Sequence, residues 1–250
     1  MGTGIAVSRR ALLAGSLALR PAHAGERGVA PPAAYLAPLT GELRKPWPHN
    51  RTVNIVCHGH SVPAGYFRTP IVRTFDAYPH LLHVALHDSY PYAVTNVIVT
   101  AIGGEHSEAG AQRFERDVLA KQPDVVLIDY GLNDRAIGLE RAARAWSHML
   151  DLLAERRIPA LLLTPTADNT TDFADAGQPL GQHARQIREL AAQYGVGLAD
   201  SFLAFERYTA SGGRLEDLLA QSNHPNRRGH ELVTLRLMSY FWSHSPLTAG

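Results

Sequence analysis

Four short blocks, far apart in a chain of 250 residues, carry groups suited to one kind of chemistry. Ser61 follows Gly59-His60 and precedes Pro63-Ala64-Gly65, and Gly104 opens Gly104-Glu105-His106-Ser107. Asn133 lies in Gly131-Leu132-Asn133-Asp134, and His224 in Asn223-His224-Pro225-Asn226. Nucleophilic acyl transfer needs such a set: an oxygen to attack, a base to take its proton, and N–H donors for the oxyanion that forms. Each block alone has an ordinary explanation. A serine after a strand commonly caps a helix, a glycine satisfies a positive φ, an asparagine caps the next helix, and a histidine before proline bonds a loop carbonyl. It is their joint placement that points to acyl transfer.

That placement depends on the elements between the blocks. Short apolar, β-branched-rich runs at 52–57, 94–102, 124–130 and 160–164, with a shorter one at 197–200, predict strands, and 124–130 is apolar enough to be buried on both faces. Between them, Tyr78, Leu81, Leu82, Ala85 and Leu86 recur at helical spacing. Leu139, Ala142, Trp146, Met149, Leu150 and Leu153 form a second stripe, and 109–119, 182–194 and 228–242 predict further helices. Strands alternating with helices of this length imply a parallel sheet covered on both faces, with its site at the carboxyl ends of the strands. Ser61, Gly104 and Asn133 each fall just past a strand. No internal repeat or linker interrupts 51–245, which is taken as one domain. Residues 25–50 hold Pro31, Pro32, Pro38, Pro46 and Pro48 and predict an extended arm with at most one short helix.

Residues 1–24 have the form of a bacterial export signal. Ser8-Arg9-Arg10 leads into the apolar stretch 11–19, and Ala22-His23-Ala24 offers a small-x-small cleavage site. The paired arginines resemble a twin-arginine (Tat) signal, so the mature chain is expected to be exported, periplasmic or secreted, with no stable membrane insertion after cleavage. Hydrophobic residues make up 45% and charged residues 19%, which excludes a disordered chain. A net charge of +1, with Lys45 and Lys121 the only lysines, argues against a nucleic-acid partner. The single cysteine, Cys57, excludes an internal disulfide and multi-thiolate metal sites; it is expected to be a buried apolar residue. Thirteen histidines include His58-x-His60 and the helical set His80, His83 and His87, but no third ligand is arranged to complete a metal set. No metal or cofactor is expected, and His60 is placed at the rim of the site. Asp134-Arg135 is expected to be an ion pair closing its turn, and Trp146 and Trp242 to be core.

The four blocks together resemble the SGNH (GDSL-type) hydrolases, from about Thr52 to Leu237. The resemblance implies a flavodoxin-like three-layer α/β/α sandwich around a parallel sheet of about five strands. It also implies Ser61 as nucleophile, His224 as base, and an oxyanion hole from the backbone N–H groups of Ser61 and Gly104 with the Asn133 amide. The implied activity is hydrolysis of a carboxylic ester or thioester, without cofactor, on a small-molecule ester or an acylated carbohydrate or lipid. Transfer or removal of acyl groups at sugar or lipid hydroxyls, and a weakened domain kept for binding, are the alternatives; oligomeric state is not legible. Two positions depart from the pattern. The family usually carries Asp before the nucleophile, here His60, and Asp three residues before the histidine, here Gln221. Three outcomes stay open: a Ser-His dyad oriented by Gln221 or a backbone carbonyl, an acid supplied by Asp200, Glu105 or Asp134, or loss of activity.

Overall fold

The computed structural model describes Met1 and residues 28–242. The export signal therefore lies, apart from Met1, outside the described residues, as do 243–245 at the expected domain end. In chain order the elements are α1 (Pro32–Tyr35), α2 (Ala37–Leu43), β1 (Thr52–Gly59), α3 (Ser61–Ala64), α4 (Tyr78–Ser89), β2 (Val94–Val99), α5 (Ser107–Gln112), α6 (Phe114–Asp117) and β3 (Val125–Asp129). Then follow α7 (Gly138–Glu155), β4 (Ala160–Leu163), α8 (Pro179–Tyr194), β5 (Gly197–Ala199), α9 (Ser201–Ala210), β6 (Leu219–Gln221), β7 (His224–Pro225) and α10 (Arg227–Met238).

Five strands form one sheet in the order β2-β1-β3-β4-β5, every pairing parallel. The chain steps from β1 outward to β2 and then back across to β3. The β1/β3 boundary is thus the point where strand order reverses, and a crevice opens there beyond the carboxyl ends. Because side chains alternate across a strand, the sheet feeds two cores. Ile55 and Cys57 of β1, with Val125 and Leu127 of β3, face Leu82, Leu86, Phe205, Val233 and Leu237 from α4, α9 and α10. Val56, Val126 and Ile128 face Phe114, Trp146, Met149 and Leu150 from α6 and α7. The same parity turns Asp129 toward the first core and His58 and Tyr130 toward the second.

Three sequence expectations are corrected. Residues 28–50 are not an extended arm but hold two short helices; Leu36 at their junction and Leu39 and Leu43 of α2 are buried in the first core. The segment is tied down at Ala30, whose N–H donates to the Val196 carbonyl (3.0 Å) and whose carbonyl accepts from the Tyr240 hydroxyl (3.2 Å). The expected helix at 109–119 is broken into α5 and α6 at Arg113, which turns inward instead of lying on the surface. The last helix ends at Met238, leaving Trp242 48% exposed, whereas Trp146 and Cys57 are buried as expected. An unexpected helix, α9, starts where the Asp200 carboxylate accepts from the Leu203 N–H at 3.1 Å, an ordinary side-chain cap.

Candidate active site

The site begins with a constraint on β1. At Gly59 a Cβ would lie 2.4 Å from the Asp129 carbonyl oxygen and 2.8 Å from Pro63, so only glycine lets β1 close onto β3 and turn at once into α3. Ser61 is the first residue after that turn and is buried, 5% exposed. From the far end of the chain, β6 and β7 form a small antiparallel pair that brings His224 beside it. The Ser61 Oγ and His224 Nε2 are 3.1 Å apart. A hydroxyl and an imidazole separated by 163 positions thus lie within direct proton-transfer reach.

Burial lowers the pKa of His224 below the ordinary histidine value, and nearby His60 lowers it further, while the Phe67 carbonyl raises it. The ring is therefore neutral at pH 7 and able to accept a proton. The Phe67 carbonyl does not complete a hydrogen bond, because Nδ1 of His224 is buried without a partner. Gln221, a candidate to orient this ring, is engaged elsewhere. Its Oε1 accepts from the Thr69 N–H at 2.8 Å and the Thr69 hydroxyl at 3.2 Å, so it pins the loop after α3.

The three carboxylates considered as substitutes are likewise committed. Asp200 holds Arg188 and Thr164, Glu105 pairs with Arg113 and accepts from the Tyr130 hydroxyl, and Asp134 accepts from Trp146 Nε1 and the Ser107 N–H. Asp134 does not pair with its neighbour Arg135 either; that guanidinium reaches Asp168 at 2.7 Å.

Gly104 and Asn133 stand past the carboxyl ends of β2 and β3, at the same edge of the sheet as Ser61. Gly104 adopts φ +79° with nothing within 4 Å of where a Cβ would sit, leaving its backbone open to an approaching group. Asn133 donates one amide N–H to the Glu105 carbonyl at 2.9 Å, which joins the two loops and leaves its second N–H for another acceptor. Beneath them, His58 is held by the Thr100 hydroxyl (2.8 Å), the Gly110 carbonyl (3.1 Å) and the Tyr130 hydroxyl (3.1 Å). It is a structural group. His60 is not at the rim as expected but 1% exposed, against Asp129 at the end of β3.

Asp129 and Tyr66 were not singled out from sequence. Asp129 offered one signal, a carboxylate closing an otherwise apolar strand. Tyr66 offered none, since its position depends on the path of the loop after α3. No grouping of three or more His, Cys, Asp or Glu side chains with metal-site geometry occurs among the described residues.

The fold is shared with several solved structures. A variant of an acetyl-xylooligosaccharide esterase from Geobacillus stearothermophilus superposes with a TM-score of 0.67 at 18% identity, covering 77% of this chain and 97% of that one. A two-domain esterase active on acetylated mannans gives 0.65 at 21% identity, covering 86% of this chain and 55% of that one. An α/β hydrolase from the metagenome of Lake Arreo gives 0.59 at 22% identity, covering 76% and 94%. No curated protein matches the chain in sequence. Residues 57–232 match the GDSL-like Lipase/Acylhydrolase family, a stretch that begins inside β1 and ends inside α10. With the sheet order and most of the chain accounted for in this way, the chain belongs to the GDSL-like lipase/acylhydrolase family and is a carboxylic ester hydrolase.

Proposed function

We propose that this hydrolase is exported and removes acyl groups from hydroxyls of carbohydrate through an acyl-enzyme on Ser61. The observation that carries the mechanism is the 3.1 Å approach of Ser61 Oγ to a neutral His224 Nε2. In the first half-reaction Oγ attacks the carbonyl carbon while its proton passes to Nε2. The negative charge then on the carbonyl oxygen is met by the backbone N–H groups of Ser61 and Gly104 and by the Asn133 amide. His224 returns the proton to the departing sugar hydroxyl, and water, deprotonated by the same nitrogen, frees the acid and the serine.

Two facts support a carbohydrate ester. The structures similar in fold include esterases described as acting on acetyl-xylooligosaccharides and acetylated mannans. In this chain Tyr66, 37% exposed, leans on Gly103, and its ring centroid is 5.9 Å from that of His224. An exposed aromatic ring beside the base suits the apolar face of a pyranose. Export is supported by Arg9-Arg10, the apolar stretch behind them and Ala22-His23-Ala24. A mature N-terminus at Gly25 in the exported protein is the expected outcome, checked by intact mass.

The catalytic proposal is tested with a fluorophosphonate probe and an acetylated oligosaccharide. Ser61 of the wild type is expected to be labelled, and Ser61→Ala to lower kcat by at least about 10³-fold. Equal turnover by the two proteins would overturn the proposal.

A further inference from the structure

Ser61 has two imidazoles about it, and only one of them has a carboxylate behind it. His60 Nδ1 lies 3.5 Å from Ser61 Oγ, within the buried part of the molecule. The same nitrogen accepts the Val62 backbone N–H at 3.2 Å, so it carries a lone pair and the ring proton is on Nε2. Nε2 stands 3.4 Å from Asp129 Oδ1, and the two side chains are only 1% and 5% exposed. His224 lies closer to Oγ and has no carboxylate within ion-pair distance among the described residues. Its Nδ1 and the Nε2 of His60 are both buried without a hydrogen-bond partner, so what sets His60 apart is the nearby charge of Asp129. A buried carboxylate is costly unless something nearby uses its charge. The two positions where this chain departs from its family's pattern, His60 and Gln221, are thus connected: the acid is missing behind one histidine, and a histidine–carboxylate pair has appeared on the other side of the serine.

We propose that Asp129, acting through His60, is the carboxylate that supports Ser61 in this enzyme. The inference rests on the reading of Ser61 as nucleophile. The Val62 N–H fixes His60 as the Nε2–H tautomer and the Asp129 carboxylate, 3.4 Å from Nε2, favours it, so that Nδ1, the negative end of the ring dipole, lies nearest the serine. When the Ser61 proton moves to His224, His60 neither gains nor loses a proton. The negative charge of Asp129 behind a neutral His60 offsets the imidazolium formed at 224, whereas a cationic His60 would oppose it. His60 and Asp129 are positioning residues. The titratable groups around them are His224 on β7, Tyr130 just past β3 (ring centroid 6.5 Å from His60), and Tyr78 on α4 and Cys57 on β1, both of which feel the Asp129 charge.

Asp129→Asn tests this directly, because asparagine keeps the size and shape of the side chain and removes only its charge. It is expected to lower kcat about 100-fold with KM within about twofold, less than the loss when both tautomer and charge change. Labelling of Ser61 by the fluorophosphonate is expected to slow in parallel, and the pH midpoint of kcat/KM to move down. His60→Asn is expected to give a similar loss, and the double variant no further loss, since the two act as one unit. A folded Asp129→Asn protein with kcat within about threefold of wild type would overturn the inference. Should that variant not fold, His60→Asn carries the same test, and wild-type kcat there overturns it equally. The two levels separate cleanly: if wild-type Ser61 is not labelled, the nucleophile assignment falls and this falls with it. If wild type is labelled and the variants are labelled just as fast, this inference alone fails.

Discussion

At the scale of single residues, the state of His224 decides when the enzyme works. Burial disfavours the imidazolium, so the pKa lies below the ordinary 6.5 and the ring stays free to accept a proton through neutral pH. The acid limb of kcat/KM against pH is therefore expected to be centred below 6.5; a midpoint at or above 7 would contradict the burial argument. Gln221 gives a second test. Because its Oε1 is taken by Thr69, Gln221→Ala is expected to loosen the loop after α3 and raise KM, leaving kcat within about threefold. A fall in kcat of orders of magnitude would instead mean that Gln221 orients His224. Ser61, Gly104, Asn133 and His224 were legible in the sequence because each residue type follows a recognisable strand or turn. Their partners were not. Which way the Gln221 amide points, and that a carboxylate at 129 meets an imidazole at 60, depend on side-chain rotamers and on the register of β1 against β3. Residue type alone sets neither.

At the scale of elements, the crevice is held open by a polar knot under the second core. Arg113, at the break between α5 and α6, pairs with Glu105 and Asp117, while its guanidinium and the Glu105 carboxylate both reach the Tyr130 hydroxyl, at 3.2 and 2.7 Å. Tyr130 in turn meets His58. The knot fastens the loop carrying Gly104 to β1 and β3. Gly110 is needed for it to close, since a Cβ there would come within 2.3 Å of the Tyr130 oxygen. Removing one member of a largely buried ion pair leaves the other uncompensated. Arg113→Met is therefore expected to destabilise the fold by about 3–5 kcal/mol in urea unfolding. Arg113→Met with Glu105→Gln is expected to recover part of that loss; equal stability of wild type and the single variant would show the knot to be incidental. This also explains where the sequence misled. The central strands β1, β3 and β4 were legible because buried parallel strands must be largely apolar runs, and the half-exposed edge strand β2 because of its β-branched residues. The 109–119 helix was misjudged because an arginine on an amphipathic pattern normally faces water, and here tertiary pairing turns it inward. Residues 28–50 were misjudged because prolines mask two short helices whose leucines gain more from burial than the isolated segment could sustain.

At the scale of the whole molecule, the buried histidines make stability depend on pH in one direction. His58 and His230 are depressed to about 4 and about 3, chiefly by desolvation, and His183 and His224 are lowered by the same cause. Above pH 6.5 these rings are neutral folded or unfolded and contribute nothing to the pH dependence. As pH falls below 6.5 the unfolded chain takes up protons that the folded one refuses, so stability declines until the folded values are reached. Asp168 and Asp200, held low by hydrogen bonds and their arginines, lose their contributions only as pH falls below the ordinary carboxylate range near 3.8. Asp134, raised by burial, works in the opposite sense. Urea unfolding at pH 7 and pH 4.5 therefore brackets the histidines before Asp168 and Asp200 titrate, and comparing one variant with wild type at both pH values cancels Asp134. His230 is the cleanest choice: it is 2% exposed, outside the active site, and its Nδ1 accepts the Tyr78 N–H at 3.2 Å, a bond an asparagine carbonyl can replace. Wild type is expected to be less stable at pH 4.5 than at pH 7, and His230→Asn to shrink that difference by about 2.5 kcal/mol, the linkage for one ring across two pH units. An unchanged difference would mean that His230 takes up its proton in the folded state, through an opening of α10 from α4 that the packed first core does not contain.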